Sequence, residues 1–218
     1  MSNLRLYDYA ASANCYKVRL LLAQLAVPYE RVPVDIFAGD TLTDEYAAVN
    51  PARETPVLEY APGRFLTESG AILVYLASGT PLLPDDAEGL AEVCRWLLYE
   101  QTAVIPVTGG LRFRLQTGRL GADDPDAVAR RRAAVDVLDL LERRLERADF
   151  FAAGRYTIAD IALFGYLHVA HEAGLPMHEF PALQDWLARI ASQPGYVNDL
   201  EPYPANARPG AGRSIYDA

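Results

Sequence analysis

Two cysteines, two methionines and one lysine are all that this chain of 218 residues holds of those types. Cys15 and Cys94 cannot build a disulfide framework, so a reducing, cytoplasmic setting is expected. No apolar run approaches the roughly 18 residues that a membrane span needs. The opening Met1-Ser2-Asn3-Leu4-Arg5 has no basic segment followed by an apolar one, so no secretory leader is expected. Positive charge is in short supply, since the formal net charge is −9 at neutral pH. A general nucleic-acid binder needs a basic face, and that class is set aside. Lys17 stands alone beside nineteen arginines, which reads as a compositional bias. The cluster Arg130-Arg131-Arg132 has acidic neighbours and reads as a solvated helix face.

What is present is the composition of a globular chain, 51% apolar and 22% charged. The length suits two domains, each able to bury a core. Leu4 to Tyr9 alternates apolar and polar, which predicts a strand. Tyr16 to Ala26 carries a helical stripe, and Tyr29 to Val34 alternates again. That order is a βαβ unit with parallel strands and a right-handed crossover. Thr43 to Val49 predicts a short helix or turn. Pro56 to Tyr60 and Arg64 to Thr67 flank Ala61-Pro62-Gly63 as a hairpin, and Glu68 to Ala77 is helical. The first part therefore reads βαβ-α-ββα, an α/β domain over residues 1–78. Residues 79–87, rich in Pro and Gly, form the linker, and residues 88–218 form an all-α helical bundle. Within it a long helix from Glu88 kinks at Pro106 and Gly109-Gly110. Asp126 to Ala148 is amphipathic, Thr157 to Ala173 is apolar all round, and Pro181 to Gln193 closes the bundle. From Glu201 onward the tail is expected to be extended or mobile.

Three stretches carry chemistry. The first is Ser12-Ala13-Asn14-Cys15-Tyr16-Lys17-Val18-Arg19. A helix start has unsatisfied N–H groups and partial positive charge, so it attracts an anion. If the anion is a thiolate, a hydroxyl or amide that donates to it lowers the thiol pKa. Ser12 and Asn14 are the candidate donors; the alternative is that one of them only caps the helix. The second stretch is Asn50-Pro51-Ala52-Arg53-Glu54-Thr55-Pro56-Val57-Leu58. A cis peptide before Pro56 would present the following backbone to an extended peptide, and a plain edge proline is the alternative. The third is Glu68-Ser69-Gly70-Ala71-Ile72. Ser69 can bind a carboxylate while Glu68 meets an ammonium, together holding an α-amino acid group; a helix cap is the alternative.

In this order and spacing the three stretches, with Thr157-Ile158-Ala159-Asp160 before an apolar helix, make the chain resemble the glutathione transferase superfamily over essentially its whole length. The Ser-x-Asn at the first helix start is similar to theta-like and bacterial nu-like members. The resemblance implies a thioredoxin-like N-terminal domain that holds glutathione as co-substrate. It implies an all-helical C-terminal domain in which Thr157 and Asp160 form a buried capping box that serves folding.

The resemblance also implies roles. Ser12 contacts the thiol, with Asn14 second. Pro56 is the cis-proline, Val57 pairs with the cysteinyl part, and Glu68 and Ser69 hold the γ-glutamyl end. Thr55 and Arg53 complete the glutathione site. Tyr7 lies where some classes place a tyrosine but precedes the loop. Cys15 stands three residues past the position used by cysteine-dependent members and is given a minor, buried role. Members often carry Gly-Gln or Gly-Lys where this chain has Arg53-Glu54. Glu54 repels the glycyl carboxylate unless it turns away, and Arg53 is the candidate replacement cation. Tyr9, Tyr99, Ala103, Pro106, Arg112 and Phe113 are expected to line the pocket for a small electrophile, with a structural ion pair to Glu100 or a neighbour as the alternative for Arg112. No metal, nucleic acid or membrane is called for, and a homodimer is expected.

The implied activity is attack of glutathione thiolate on a small electrophile. One alternative is a glutathione-dependent disulfide-bond reductase or peroxidase on the same site. Another is a transferase-fold protein that binds a partner without catalysis, which Glu54 favours.

Overall fold

The computed structural model describes residues 4–217. Met1, Ser2 and Asn3, where no leader is expected, lie outside them. The chain divides into two compact units, Met1–Leu76 with Val197–Ala218, and Ala77–Tyr196.

The first unit is built on β1 (Leu4–Asp8), α1 (Ala13–Gln24), β2 (Tyr29–Pro33), α2 (Asp44–Val49), β3 (Val57–Ala61), β4 (Arg64–Leu66) and α3 (Ser69–Ala77). The sheet order is β2-β1-β3-β4. β1 runs parallel to β2, with Leu6 opposite Arg31, and antiparallel to β3, with Leu6 opposite Leu58. β4 returns antiparallel to β3, as the turn at Ala61-Pro62-Gly63 predicts. Period-2 strands and period-3.6 helices put Leu6, Leu58, Val18, Leu22 and Ile72 in one fully buried cluster. That core holds the starts of α1 and α3 at fixed positions. This is the expected thioredoxin-like arrangement.

The second unit comprises α4 (Ala87–Tyr99), α5 (Ile105–Val107), α6 (Gly109–Gln116), α7 (Pro125–Leu145), α8 (Ile158–Leu167) and α9 (Pro181–Ala191). The expected long helix breaks as predicted, but over more residues. A π-helical turn, Glu100–Val104, separates α4 from α5. Pro106 has no N–H and its ring crowds the carbonyl four residues back, which widens the turn before it. Gly109 is required at the next bend, because a Cβ there would lie 2.2 Å from the Tyr166 ring. α8 is buried on every side, as its uniform apolarity predicts. Phe151 packs edge-on against Trp96 and Trp186, with ring centres 4.8 and 5.1 Å apart. Pro181 starts α9 without a capping side chain. The Glu142 carboxylate of α7 takes over, accepting from the N–H groups of Ala182 and Leu183 at 2.8 Å each. Among the described residues no helix is long and apolar enough to cross a membrane.

The tail departs from expectation. Residues assigned to the helical domain from sequence, 197 onward, cluster instead with the first unit. They are neither loose nor helical in the main. Tyr16 donates its hydroxyl to the Val197 carbonyl at 2.8 Å, and Arg19 clasps Asp199 at 3.0 Å. The Glu201 N–H reaches the Ala10 carbonyl, and the Arg213 N–H reaches that of Phe37. Gly212 permits this contact, since a Cβ would lie 2.4 Å from the Phe37 carbonyl. The Pro-Gly composition that suggested mobility instead lets the chain turn tightly against β1's loop.

Candidate active site

The loop after β1 ends in Ser12, whose extended backbone and Oγ cap α1 by accepting from the Cys15 N–H at 3.3 Å. Capping is thus what the Ser12 oxygen does. It does not exclude the other role, because a hydroxyl that accepts through a lone pair still has its O–H to donate. Asn14 sits in the first turn of α1. Its Oδ1 accepts from the Ser69 hydroxyl at 3.2 Å, which leaves the amide NH2 as the group with donors to offer. This bond ties the start of α1 to the start of α3. The two helix N-termini, each with first-turn amides lacking intrahelical acceptors, are thereby held side by side.

Ser69 is buried, and Glu68 before it is exposed and left-handed, with φ of 65°. A non-glycine residue there carries a backbone cost of order 1–3 kcal/mol, the kind of strain that concentrates at functional positions. Arg53 is left-handed too, with φ of 58°. The Thr55–Pro56 peptide bond is cis, and Val57 opens β3 opposite Tyr7. Ser12, Asn14, Thr55, Pro56, Val57, Glu68 and Ser69 all belong to the first unit.

Arg53 has a different task from the one expected. Its Nη1 donates to the carbonyls of Thr41 and Thr43 at 2.8 and 2.9 Å, and Nη2 lies 3.8 Å from Asp44. One edge of the guanidinium is tied to the turn before α2, and Nη2 faces the exposed Asp44 carboxylate. Glu54 is exposed, and its backbone carbonyl accepts from Tyr46 Oη and Asn50 Nδ2, both at 2.9 Å. Desolvation pushes the Glu54 carboxyl above its ordinary range, and the Glu68 carboxylate pushes it further.

Cys15 is fully buried, and its Sγ accepts from the Tyr9 N–H at 3.4 Å. Burial pushes its thiol up to about 12, with Asp8 adding to the effect. At neutral pH it is an inert apolar side chain, in keeping with the minor role expected of it. Native protein treated with a maleimide at neutral pH should therefore be labelled at exposed Cys94 alone, and Cys15 should react only on unfolding. Mass spectrometry showing equal labelling of both would contradict the burial argument.

The expected electrophile residues fall in both units. Tyr9, in the first, is 5% exposed and packs edge-on to Phe37 at 5.9 Å. Its hydroxyl has no hydrogen-bond partner among the described residues, and burial keeps the phenol protonated. In the second unit Tyr99 helps line a cavity of about 280 Å³ with Arg95, Trp96, Leu98, Thr102 and Leu140. Ala103 lies in the π-helical turn, Pro106 in α5 and Phe113 in α6, under the Arg119 guanidinium at 4.8 Å. Arg112 is buried and pairs with Glu172 at 2.7 Å, an ion pair of the structural kind but with a partner distant in sequence from the Glu100 expected for it. The tail brings Tyr216 to 6.3 Å from Phe37 and into the electrostatic reach of Glu54. No local pattern announces that contact, because the partners are far apart in sequence.

Residues 6–83 match the family described as Glutathione S-transferase, N-terminal domain, and residues 105–194 match its C-terminal domain. The fold is similar to a crystal structure of a possible glutathione S-transferase from Rhodopseudomonas palustris. The TM-score is 0.87 at 42% identity, covering 93% of this chain and all of that one. A glutathione transferase from Burkholderia graminis, solved with two glutathione molecules bound per subunit, is 31% identical. Its TM-score is 0.78, over 89% of this chain and 85% of that one. The disulfide-bond oxidoreductase YfcG of Escherichia coli (strain K12) is 27% identical over 85% of this chain and 89% of its own. With both family matches falling on the elements that build the two units, this chain belongs to the glutathione transferase superfamily.

Proposed function

We propose that this protein binds glutathione on its first unit and transfers the thiolate to a small electrophile. The observation that carries this reading is the pair of helix N-termini joined by the Ser69–Asn14 hydrogen bond, with Glu68 beside them. Glutathione in its thiolate form carries an anionic sulfur and, at its γ-glutamyl end, an α-carboxylate next to an ammonium, besides its glycyl carboxylate. In this reading the start of α1 takes the thiolate and the start of α3 takes the α-carboxylate. Glu68 takes the ammonium, and the Val57 backbone beside cis-Pro56 takes the cysteinyl peptide group. The Ser12 hydroxyl donates to the sulfur, with the Asn14 amide as a second donor. No general base is needed, because stabilising the thiolate is the main catalytic work.

The test is calorimetry with millimolar glutathione, followed by conjugation to a chlorodinitrobenzene probe. Ser12→Ala should lower kcat/KM by about tenfold to a hundredfold, the worth of one hydrogen bond to a charged group. The same change removes the α1 cap and should cost about 1 kcal/mol of stability. Ser12→Thr, which keeps both the cap and the O–H, should restore both. An Ala variant with an unchanged rate would move the role to Asn14, and absence of any binding heat would sink the reading.

A second reaction on the same site is favoured by the likeness to the disulfide-bond oxidoreductase. With Cys15 inert, glutathione itself must attack. Its thiolate displaces one thiolate from a disulfide and forms a mixed disulfide. A second glutathione then releases the other thiol and leaves as glutathione disulfide. Reduction of a hydroxyethyl disulfide probe, compared with conjugation, separates the two. We propose a cytoplasmic homodimer as the working form.

A further inference from the structure

The loop that carries Ser12 is held by the tail. Between β1 and α1 it runs through Ala10 and Ala11, whose methyl groups can form no polar anchor. Backbone bonds set its shape instead. The Ser12 N–H closes the turn on the Tyr9 carbonyl at 3.0 Å, and the Tyr9 N–H meets Cys15 Sγ. The Ala10 carbonyl accepts from one donor in the tail and from a side chain that the tail clasps. The Glu201 N–H reaches it at 3.2 Å. Arg19 Nη2 reaches it at 3.3 Å, and the same nitrogen donates to the Asp199 carbonyl at 3.2 Å. Arg19 Nε holds the Asp199 carboxylate, and Nη1 holds that of Asp8. One buried guanidinium thus joins the end of β1, the Ser12 loop and the tail.

A second hold acts on the same loop through Tyr9. Its ring packs edge-on to Phe37, which is fully buried. The Phe37 carbonyl accepts from the Arg213 N–H at 2.8 Å, and its ring lies 6.3 Å from that of Tyr216. Two separated stretches of the tail therefore converge on the loop that ends in Ser12. A donor aimed at an anion weakens steeply with misalignment, and a donor fixed in advance costs no reorganisation. Holding this loop still is therefore worth most when an anion sits at the start of α1.

We propose that the tail is a positioning element of the thiolate site: the Glu201 N–H and the Asp199–Arg19 clasp, meeting at the Ala10 carbonyl, hold Ser12 where the glutathione sulfur binds. This rests on the glutathione reading above. Glu201, Asp199 and Arg19 act through Ser12 and are positioning residues.

The experiment uses the full chain and separates thiolate stabilisation from peptide binding. Glu201→Pro deletes the single N–H that reaches Ala10. Asp199→Ala opens the clasp at a half-exposed side chain, and it decides alone if the proline variant does not fold. In both, the thiol pKa of bound glutathione, read from thiolate absorbance, should rise by about half a unit to one unit. Well below that pKa, kcat/KM should fall about threefold to tenfold. S-Methylglutathione, which has no thiol to ionise, should bind each variant within about twofold of the parent. In a Ser12→Ala background the same changes should leave the thiol pKa where Ser12→Ala alone puts it. An unshifted thiol pKa in every folded variant overturns the proposal. So does a parallel loss of S-methylglutathione binding, or a full shift in the Ser12→Ala background. Those outcomes leave the glutathione reading intact. If the parent binds neither glutathione nor S-methylglutathione, that reading fails and this proposal with it.

Discussion

Replacing Asp160 with alanine should lower the unfolding free energy by about 3–5 kcal/mol, a large share of what a protein of this size has. Asp160 is fully buried. Its Oδ1 accepts from the Phe151 N–H and the Trp186 Nε1–H, both at 3.0 Å. Its Oδ2 accepts from the Thr157 N–H at 3.0 Å and the Thr157 hydroxyl at 3.3 Å. One carboxylate thus satisfies the cap of α8, the loop before it and the indole of α9. Burial pushes this carboxyl up to about 6, so it is ionised at neutral pH, held by its four donors. Alanine would leave those donors without their acceptor, and each lost acceptor costs about 1–3 kcal/mol less whatever relaxation or an entering water recovers. The informative control is Asp160→Asn. This change keeps an oxygen for Phe151 and Trp186 but turns an NH2 against the Thr157 N–H, so it should fall between parent and alanine. Urea denaturation followed by tryptophan fluorescence reads both, since Trp186 reports on the site. An alanine variant within about 1 kcal/mol of the parent would show that the network is not what holds α8.

Arg19→Met should cost a similar amount, about 3–5 kcal/mol, and should also release the tail. Arg19 is 1% exposed. Its Nη1 pairs with fully buried Asp8 at 2.5 Å, its Nε contacts both oxygens of Asp199 at 3.0 Å, and Nη2 reaches the carbonyls of Ala10 and Asp199. Asp8 keeps Arg31 as a second partner, but that side chain is partly exposed and cannot replace the buried pair. Removing Arg19 therefore leaves a buried carboxylate half-compensated and two carbonyls short of a donor. Limited proteolysis should cut within residues 197–213 faster in this variant. Asp199→Asn separates the two effects. It weakens the clasp on a half-exposed side chain, so it should cost about 1 kcal/mol or less while still quickening cleavage of the tail. If Arg19→Met loses stability without any change in tail cleavage, the clasp does not hold the tail.

The two residues differ in how visible they are in the chain. Thr157-x-x-Asp160 before a uniformly apolar run is a local signal, because a cap and its reciprocal acceptor are set by spacing along one helix turn. The strands of the first unit are legible for the same reason. Leu4 to Asp8 and Val57 to Ala61 alternate, and the alternation alone says which residues face the core. Ser12 shows the limit of such reading. Its position announces a helix cap or a thiol donor. Only its geometry shows that the oxygen caps α1. Arg53 shows a stronger limit. Beside Glu54 it reads as a ready cation, yet its guanidinium is held by carbonyls of another turn.

Periodicity, caps and breakers, which act over a few residues, were enough to specify a βαβ-α-ββα unit followed by helices and the order of the motifs that mark the superfamily. Which charges meet was left to the folded chain. Arg19 finds Asp199, Glu142 caps α9 from α7, and Ser69 reaches Asn14, each across a separation that no local pattern encodes. The tail is the clearest case. Its Pro and Gly content speaks only of a chain that cannot form helix or strand, and the partners that hold it against the first unit lie at the other end of the sequence. A charged or flexible residue is ambiguous until burial sets its partner, because its energy depends on what surrounds it in three dimensions, whereas an apolar period carries its meaning along the chain.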